Sequence, residues 1–203
     1  MQDVLVLCSA EGDIALWLAQ KVKGGSVTGL ELDDELRHLA EERASERGLQ
    51  KIVRFQKAEK KRIPFPDESF DTVVSEFILF PTSNPTEIGQ REMARVLRHG
   101  GTIALTDVIA TRIMPNTIRQ DLKAIGLDYL CDGTMDDFRR WMSDAGLIDV
   151  LVTDCTTMVR KVWEDRRDSS LPIRRREYEI LLENPELRLG RSIFYIYAKG
   201  RKP

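Results

Sequence analysis

The order of apolar segments in the first half of the chain limits its possible folds most strongly. Five short apolar runs occupy residues 4–8, 26–32, 52–55, 70–75 and 102–109. Stretches with helical spacing of apolar residues lie between them at residues 12–22, 33–47 and 85–98. Short apolar runs that alternate with helices are typical of strands buried on both faces of a parallel sheet. The pattern therefore predicts a doubly wound α/β fold.

The second half of the chain is less regular. Helical patterns cover residues 115–124, 134–146, 158–168 and 173–183, and strand patterns cover residues 147–153 and 192–199. We expect the last strand to close the sheet, which gives a Rossmann-like, doubly wound, mostly parallel seven-stranded sheet with a final antiparallel strand. One domain is predicted over residues 1–203, because this length suffices for one core but is short for two.

Composition excludes several classes of protein. The 42% of hydrophobic and 32% of charged residues are typical of a soluble globular protein. No apolar run approaches the ~20 residues that span a bilayer, and Asp3, Glu11 and Asp13 interrupt the first apolar stretch, so no signal peptide is expected. The three cysteines and two histidines are widely spaced and predict neither a disulfide framework nor a metal site. A cytoplasmic location with reduced thiols fits this composition.

The charge of the chain argues against nucleic acid as the main partner. The formal net charge is −2, whereas phosphate binding usually needs a basic face. Basic clusters at residues 166–167 and 174–176 are the basis for a nucleic-acid alternative. Acidic residues such as Glu164, Asp165 and Asp168 interleave with them, which favours a solvated helix face.

Candidate ligand-binding residues follow the predicted strands, because ligands of doubly wound sheets bind beyond the carboxyl ends of strands. The first strand leads into residues 8–12, where Gly12 is the one glycine that would let the backbone pass close to a ligand. Glu31 ends the second strand, and a carboxylate there can accept hydrogen bonds from both hydroxyls of a ribose. The alternative is a solvated or capping acid just ahead of Asp33.

Glu59 and Lys60 follow the third strand. The Glu59 carboxylate could accept a hydrogen bond from the amine of an adenine. The alternative interpretation is a surface charge run over residues 59–62, and residue type alone does not decide between the two.

Two longer segments carry a family resemblance. Residues 63–75 read IPFPDESFDTVVS, and residues 92–108 read EMARVLRHGGTIALTDV. They resemble the phrases LPFPDxSFDxVVS and EMxRVLxPGGxxxxxDV of class I S-adenosylmethionine-dependent methyltransferases of the methyltransferase type 11 group. Both occur in order and with the correct spacing, and the whole resemblance runs over residues 4–109.

The resemblance implies S-adenosylmethionine as the cofactor, methyl transfer to a small molecule, and two halves: a cofactor-binding half over residues 1–110 and a substrate or cover half over residues 111–203. The implied cofactor-binding residues are Cys8, Ser9, Ala10, Gly12, Glu31, Leu32, Glu59, Lys60 and Ser75.

No catalytic base can be identified from the sequence. Glu76 follows the fourth strand, where cofactor and substrate meet in this family, and is our candidate for a polar substrate contact. Asp107 lies near the end of the fifth strand. Its position is compatible with a structural role and with a substrate contact, and the sequence does not decide between them. His99 lies in the turn before that strand, away from the strand ends, and is not expected to be catalytic.

The first strand departs from the family phrase VLDxGCGxG. Val6 replaces the acid, and Cys8 and Ala10 replace two glycines, which predicts weakened cofactor binding. The alternative function is therefore a non-catalytic binding or regulatory subunit. The chain also begins at the first strand, without the helices that precede it in the family. We expect that side of the site to be open or to be covered by later segments, a homodimer or a partner subunit.

Residues 129–147 resemble a segment of arsenite methyltransferases. Cys131 falls on a thiol position that binds arsenic in that family, but residues 76–78 contain no second thiol. A single thiolate is a poor site for a soft metalloid. Arsenic methylation is therefore disfavoured, and Cys131 is expected to be a small buried side chain.

Overall fold

A computed structural model describes most of the chain. The described residues are 2–7, 11–58, 62–76, 85–110, 115–124, 131–165, 167–168, 175–176, 178–183 and 189–203.

The described residues form eight strands, six α-helices and one π-helical turn. The strands are β1 (Asp3–Leu7), β2 (Ser26–Glu31), β3 (Val53–Lys57), β4 (Phe70–Glu76), β5 (Leu97–Ala110), β6 (Cys131–Asp132), β7 (Ile148–Asp154) and β8 (Ile193–Arg201). The helices are α1 (Asp13–Ala19), α2 (Asp34–Glu46), α3 (Pro85–Val96), α4 (Asn116–Ala124), α5 (Met135–Asp144) and α6 (Thr156–Glu164), and the π-helical turn is Glu179–Glu183.

The strand order confirms the predicted doubly wound sheet. Seven strands follow the order β3-β2-β1-β4-β5-β8-β7, and the two-residue strand β6 pairs with β5. β1 runs parallel to β2 and β4, β2 runs parallel to β3, and β5 runs parallel to β6. β6 was not predicted, because two residues are too short to show a periodicity.

The predicted antiparallel orientation of the last strand is also confirmed. Asp149 at the start of β7 pairs with Arg201 at the end of β8 at 3.2 Å. Just beyond the other end of β7, the backbone N–H of Cys155 donates to the carbonyl of Tyr195 at 2.8 Å. Residue numbers therefore rise along β7 as they fall along β8.

The chain divides into two compact units. Residues 1–105, 141–151 and 199–203 form the first unit, and residues 106–140 and 152–198 form the second. In the first unit, side chains of β1, β2, β3, α1 and α2 form one apolar cluster. Its buried members are Val4, Val6, Ala15, Leu16, Ala19, Val27, Ala40, Ala44, Val53 and Phe55. The single domain and the two halves inferred from the sequence stay predictions.

Two helices begin where the sequence provides caps. The side chain of Asp33 accepts hydrogen bonds from the backbone N–H groups of Glu35 and Leu36 and caps α2. At α5 the Thr134 hydroxyl accepts from the N–H of Asp137 at 3.1 Å, and the Asp137 carboxylate accepts from the N–H of Thr134 at 2.9 Å. This reciprocal pair is a capping box with Asp in place of the usual Glu.

The junction between α3 and β5 differs from the prediction. The sequence predicts a helix to residue 98 and a strand from residue 102, but α3 ends at Val96 and β5 begins at Leu97. The N–H of Gly100 donates to the carbonyl of Lys202 at 2.9 Å, and the N–H of Lys202 donates to the carbonyl of Gly101 at 3.0 Å. Pairing with a distant segment thus makes the two glycines part of the sheet, although locally they resemble a helix stop.

Other predicted boundaries shift by a few residues. The helix predicted over residues 173–183 is described only in part, and residues 179–183 form the π-helical turn.

In the part of the chain that the structure describes, no helix is both long and apolar enough to cross a membrane.

Candidate functional site

Gly12 lies immediately before α1 and is required there for two reasons. Its backbone is left-handed, with φ of 85°, and its carbonyl accepts the hydrogen bond from the N–H of Leu16 at 2.8 Å. A Cβ at this position would lie 2.9 Å from the Cβ of Ala40 and 2.9 Å from Cζ of Phe55. The backbone therefore passes close to α2 and β3, so the need for glycine arises from packing even without a ligand.

Arg43 on α2 holds the segment that precedes α1. Its guanidinium donates to the carbonyl oxygen of Glu11 at 2.9 Å and to the Glu11 carboxylate at 3.2 Å, and it also binds the carboxylate of Asp13. No local sequence signal indicates this role of Arg43, because its partners are about thirty positions away and only tertiary packing brings them together.

Glu31 is the last residue of β2 and is only 8% exposed. Its Oε1 atom accepts hydrogen bonds from the backbone N–H of Leu32 at 2.8 Å and of Asp33 at 3.3 Å. Since Asp33 caps α2, the capping role considered for Glu31 belongs to Asp33. The backbone thus fixes the Glu31 carboxylate at the carboxyl end of the strand.

The ends of β1, β2 and β3 lie side by side. Leu7 is in parallel register with Leu30 of β2, and the N–H of Ala58 donates to the carbonyl of Glu31 at 2.7 Å. The predicted site residues Cys8, Ser9, Ala10, Glu59 and Lys60 lie outside the described residues. The described residues that directly precede both segments, Leu7 and Ala58, therefore lie beside the end of β2. Leu32, which follows β2, is half-buried.

The end of β4 brings two more predicted residues to this edge. Ser75 is buried and in register with Leu7 of β1. Glu76 is solvent-exposed, yet partial burial and the nearby Asp13 carboxylate raise its pKa above the usual value. The coupling places the Glu76 carboxylate within electrostatic reach of the start of α1.

Asp107 on β5 is the most deeply buried carboxylate among the described residues, at 2% exposure. Its Oδ1 atom accepts from the backbone N–H of Val108 at 2.7 Å. Its Oδ2 atom is buried and has no hydrogen-bond partner among the described residues. Burial raises the pKa of Asp107 to about 7, against the opposing effect of the Val108 hydrogen bond.

His99 lies at the amino end of β5, far along the strand from Asp107. It is exposed, its Nδ1 lies 2.6 Å from the carbonyl oxygen of Pro203, and its Nε2 lies 3.1 Å from the Glu68 carboxylate. These contacts place His99 on the surface of the protein.

The described basic residues of the 166–176 region are engaged within the chain. Arg167 donates to the hydroxyl of Tyr178 at 2.6 Å and stacks over its ring at 5.0 Å. Arg176 pairs with Glu179 at 3.1 Å and with Asp121 at 3.6 Å.

Among the described residues, no group of three His, Cys, Asp or Glu side chains could hold a metal ion. Cys131 lies in β6, and its side chain lies outside the described part.

Sequence similarity to known proteins covers part of this chain or most of it. A family model described as a methyltransferase domain matches residues 5–105, about half of the chain. The chain is 34% identical over 85 residues to phosphatidylethanolamine N-methyltransferase of Cereibacter sphaeroides, covering 42% of this chain and 41% of that protein. It is 26% identical over 170 residues to arsenite methyltransferase of Halobacterium salinarum, covering 82% of this chain and 43% of that protein.

A solved structure shows the same fold. Geranyl diphosphate C-methyltransferase from Streptomyces coelicolor A3(2), in complex with Mg²⁺, geranyl diphosphate and S-adenosyl-L-homocysteine, has a TM-score of 0.82 and 16% identity, covering 100% of this chain and 71% of that chain. The chain spans less than half the length of the two curated relatives named above. The domain match shows that this chain belongs to the class I S-adenosylmethionine-dependent methyltransferases.

Proposed function

We propose that the protein transfers a methyl group from S-adenosylmethionine to a small molecule. The observation that carries the proposal is the buried Glu31 carboxylate at the carboxyl end of β2. Two backbone N–H groups hold Oε1 in place, so the side chain is ordered before any ligand binds. An acid in this place is a recurrent partner of ribose hydroxyls in doubly wound folds.

The neighbouring residues fit a nucleoside cofactor. Register pairing puts the end of β1 beside β2 and β4, so the carboxyl ends of these three strands lie at one edge of the sheet. We assign the cofactor to Cys8, Ser9, Ala10, Gly12, Glu31, Leu32, Glu59, Lys60 and Ser75. Val6 is buried and apolar, so this chain provides no carboxylate at that position for the methionine part of the cofactor.

When bound, the cofactor supplies a sulfonium methyl group as the electrophile. The protein then has two tasks, which are to align the acceptor with that methyl group and to exclude water from it. Glu31 would orient the ribose, and Glu76 is the proposed polar contact to the acceptor. A cytoplasmic location, and a homodimer or a partner subunit that covers one side of the site, complete the proposal. The low cysteine content supports the cytoplasmic location.

Calorimetry with S-adenosylhomocysteine tests this assignment. We expect the wild-type protein to bind, and Glu31→Gln to weaken binding about tenfold or more, because the neutral amide accepts ribose hydrogen bonds less strongly. Glu35→Gln is the matched control, since it makes the same charge change at an exposed position of α2. Absence of both heat and thermal shift at millimolar ligand would exclude the proposed cofactor.

The second candidate is a methyltransferase-like protein that does not methylate. Val6, Cys8 and Ala10 support it, because together they remove an acid and two glycines from the family phrase. The double variant Cys8→Gly, Ala10→Gly separates the two functions. A gain in affinity for S-adenosylhomocysteine means that the native loop merely weakens a working site, whereas no gain in a folded variant favours the non-catalytic role.

A further inference from the structure

Asp107 is a carboxylate in an apolar position of β5. Side chains alternate between the two faces of a strand, so Asp107 shares its face with Leu105 and Ile109, and all three are buried. Thr106 and Val108 belong to the opposite face. A residue at the position of Asp107 would therefore be expected to be apolar if it only filled the core.

The Asp107 carboxyl group is incompletely paired. Oδ1 accepts one hydrogen bond from the N–H of Val108, while Oδ2 is buried with no partner among the described residues. A buried polar atom without a partner carries a desolvation cost, which is larger when the group is charged. A donor supplied by a ligand would remove this cost.

We propose that Asp107 is the binding site for a protonated amine of the small-molecule ligand, with Oδ2 as the acceptor. The inference rests on the proposed function, which it deepens by naming the chemical class of the ligand. Doubly wound folds bind ligands beyond the carboxyl ends of their strands, and β5 ends at Ala110, three residues beyond Asp107.

An ammonium group fits Oδ2 better than a neutral hydroxyl. A hydroxyl can complete the hydrogen bonding of the neutral carboxyl group, but it supplies no counter-charge for the ionised form. An ammonium group cancels the charge and donates a charge-assisted hydrogen bond. In the ligand-free protein, the pKa of about 7 keeps much of the carboxyl group protonated at neutral pH. Binding the cation releases that proton to solvent and leaves a carboxylate–ammonium pair.

Infrared difference spectroscopy with matched probes tests the proposal. Propylammonium and 1-propanol, at equal millimolar concentrations and about pH 6, are added to the full-length protein with and without S-adenosylhomocysteine. The protonated carboxyl band of Asp107 is identified by its loss in Asp107→Asn. Thr106→Val is the matched control, because it removes the other unpartnered buried oxygen of β5 on the opposite face.

We expect propylammonium, but not 1-propanol, to bleach the protonated carboxyl band in the wild type and in Thr106→Val. Propylammonium should also raise the melting temperature of both, with apparent affinity about tenfold weaker or more in Asp107→Asn. Equal stabilisation of Asp107→Asn overturns the proposal. So does an absent band in the wild type, or a band that propylammonium leaves unchanged.

The wild-type spectra decide the question even if Asp107→Asn fails to fold, because ¹³C-labelled aspartate identifies the carboxyl signals without a variant. The outcome is also separable from the cofactor assignment. Bleaching by propylammonium in a protein that does not bind S-adenosylhomocysteine leaves the amine site in place and excludes only the methyl transfer. Cofactor binding without bleaching excludes only the amine site.

Discussion

Glu31 and Asp107 are the two buried carboxylates of the described chain, and their surroundings differ. Oε1 of Glu31 accepts from two backbone N–H groups. Asp107 has one such bond at Oδ1 and no partner among the described residues at Oδ2. The backbone therefore fixes the Glu31 carboxylate in place, whereas, within the described part of the chain, one oxygen of Asp107 stays free to accept a hydrogen bond. This difference is expected between a carboxylate that is held rigidly and one that binds a ligand.

The difference follows from where each strand ends. β2 ends at Glu31, so the chain turns immediately and the next two N–H groups can point back to the carboxylate. β5 continues past Asp107 to Ala110, and an extended backbone directs successive N–H groups to alternate sides. A single N–H, that of Val108, therefore reaches the side chain.

Asp107→Asn should have the largest effect, because it removes the contribution of this carboxyl group to the pH dependence of stability. The folded pKa of about 7 lies above the unfolded value, so the native state binds the proton more tightly and stability falls as pH rises between the two values. The fall attributable to this group is up to about 4 kcal/mol. Denaturant unfolding from pH 4 to pH 8 should show a flatter profile for the variant, whereas parallel profiles would show that Asp107 is ionised throughout.

Gly12→Ala should have the next largest effect, and it acts in the segment between β1 and α1. The left-handed backbone costs about 1–2 kcal/mol for a residue with a Cβ, and the contacts of 2.9 Å with Ala40 and Phe55 add overpacking, for a total loss of about 3 kcal/mol. Gly48→Ala isolates the backbone part, because Gly48 also has positive φ, 67°, but no atom within 4 Å of its added Cβ. Equal losses of unfolding free energy in both variants would contradict the packing explanation.

Combining the two acid variants tests whether Glu31 and Asp107 bind different ligands. Glu31→Gln should cost about 2 kcal/mol in the binding of S-adenosylhomocysteine, through the lost charge-assisted hydrogen bonds. Asp107→Asn should leave that affinity unchanged, because the proposed amine site takes a different ligand. Isothermal calorimetry of the two single variants and the double variant checks both statements, and a large loss in Asp107→Asn would join the two acids in one site.

Local signals in the sequence explain which features could be predicted. The β1 and β2 runs, the Asp33 cap and the position of Glu31 at a strand end follow from neighbouring residues alone. The start of β5 does not, because it depends on Lys202, about a hundred positions away. The unpaired Oδ2 of Asp107 is likewise invisible in sequence, since it requires knowing what packs around the strand.

Gln90 on α3 extends the comparison to a buried polar group that is not an acid. Its side chain is 0% exposed, and both amide atoms lack hydrogen-bond partners among the described residues. Gln90→Leu removes the unpaired atoms at similar volume, so the free energy of unfolding should rise by about 1 kcal/mol. Gln56→Leu at an exposed position of β3 is the control and should change stability by less than about 0.5 kcal/mol. Denaturant titration measures both, and a loss of stability in Gln90→Leu would show that the amide is hydrogen-bonded in the native state.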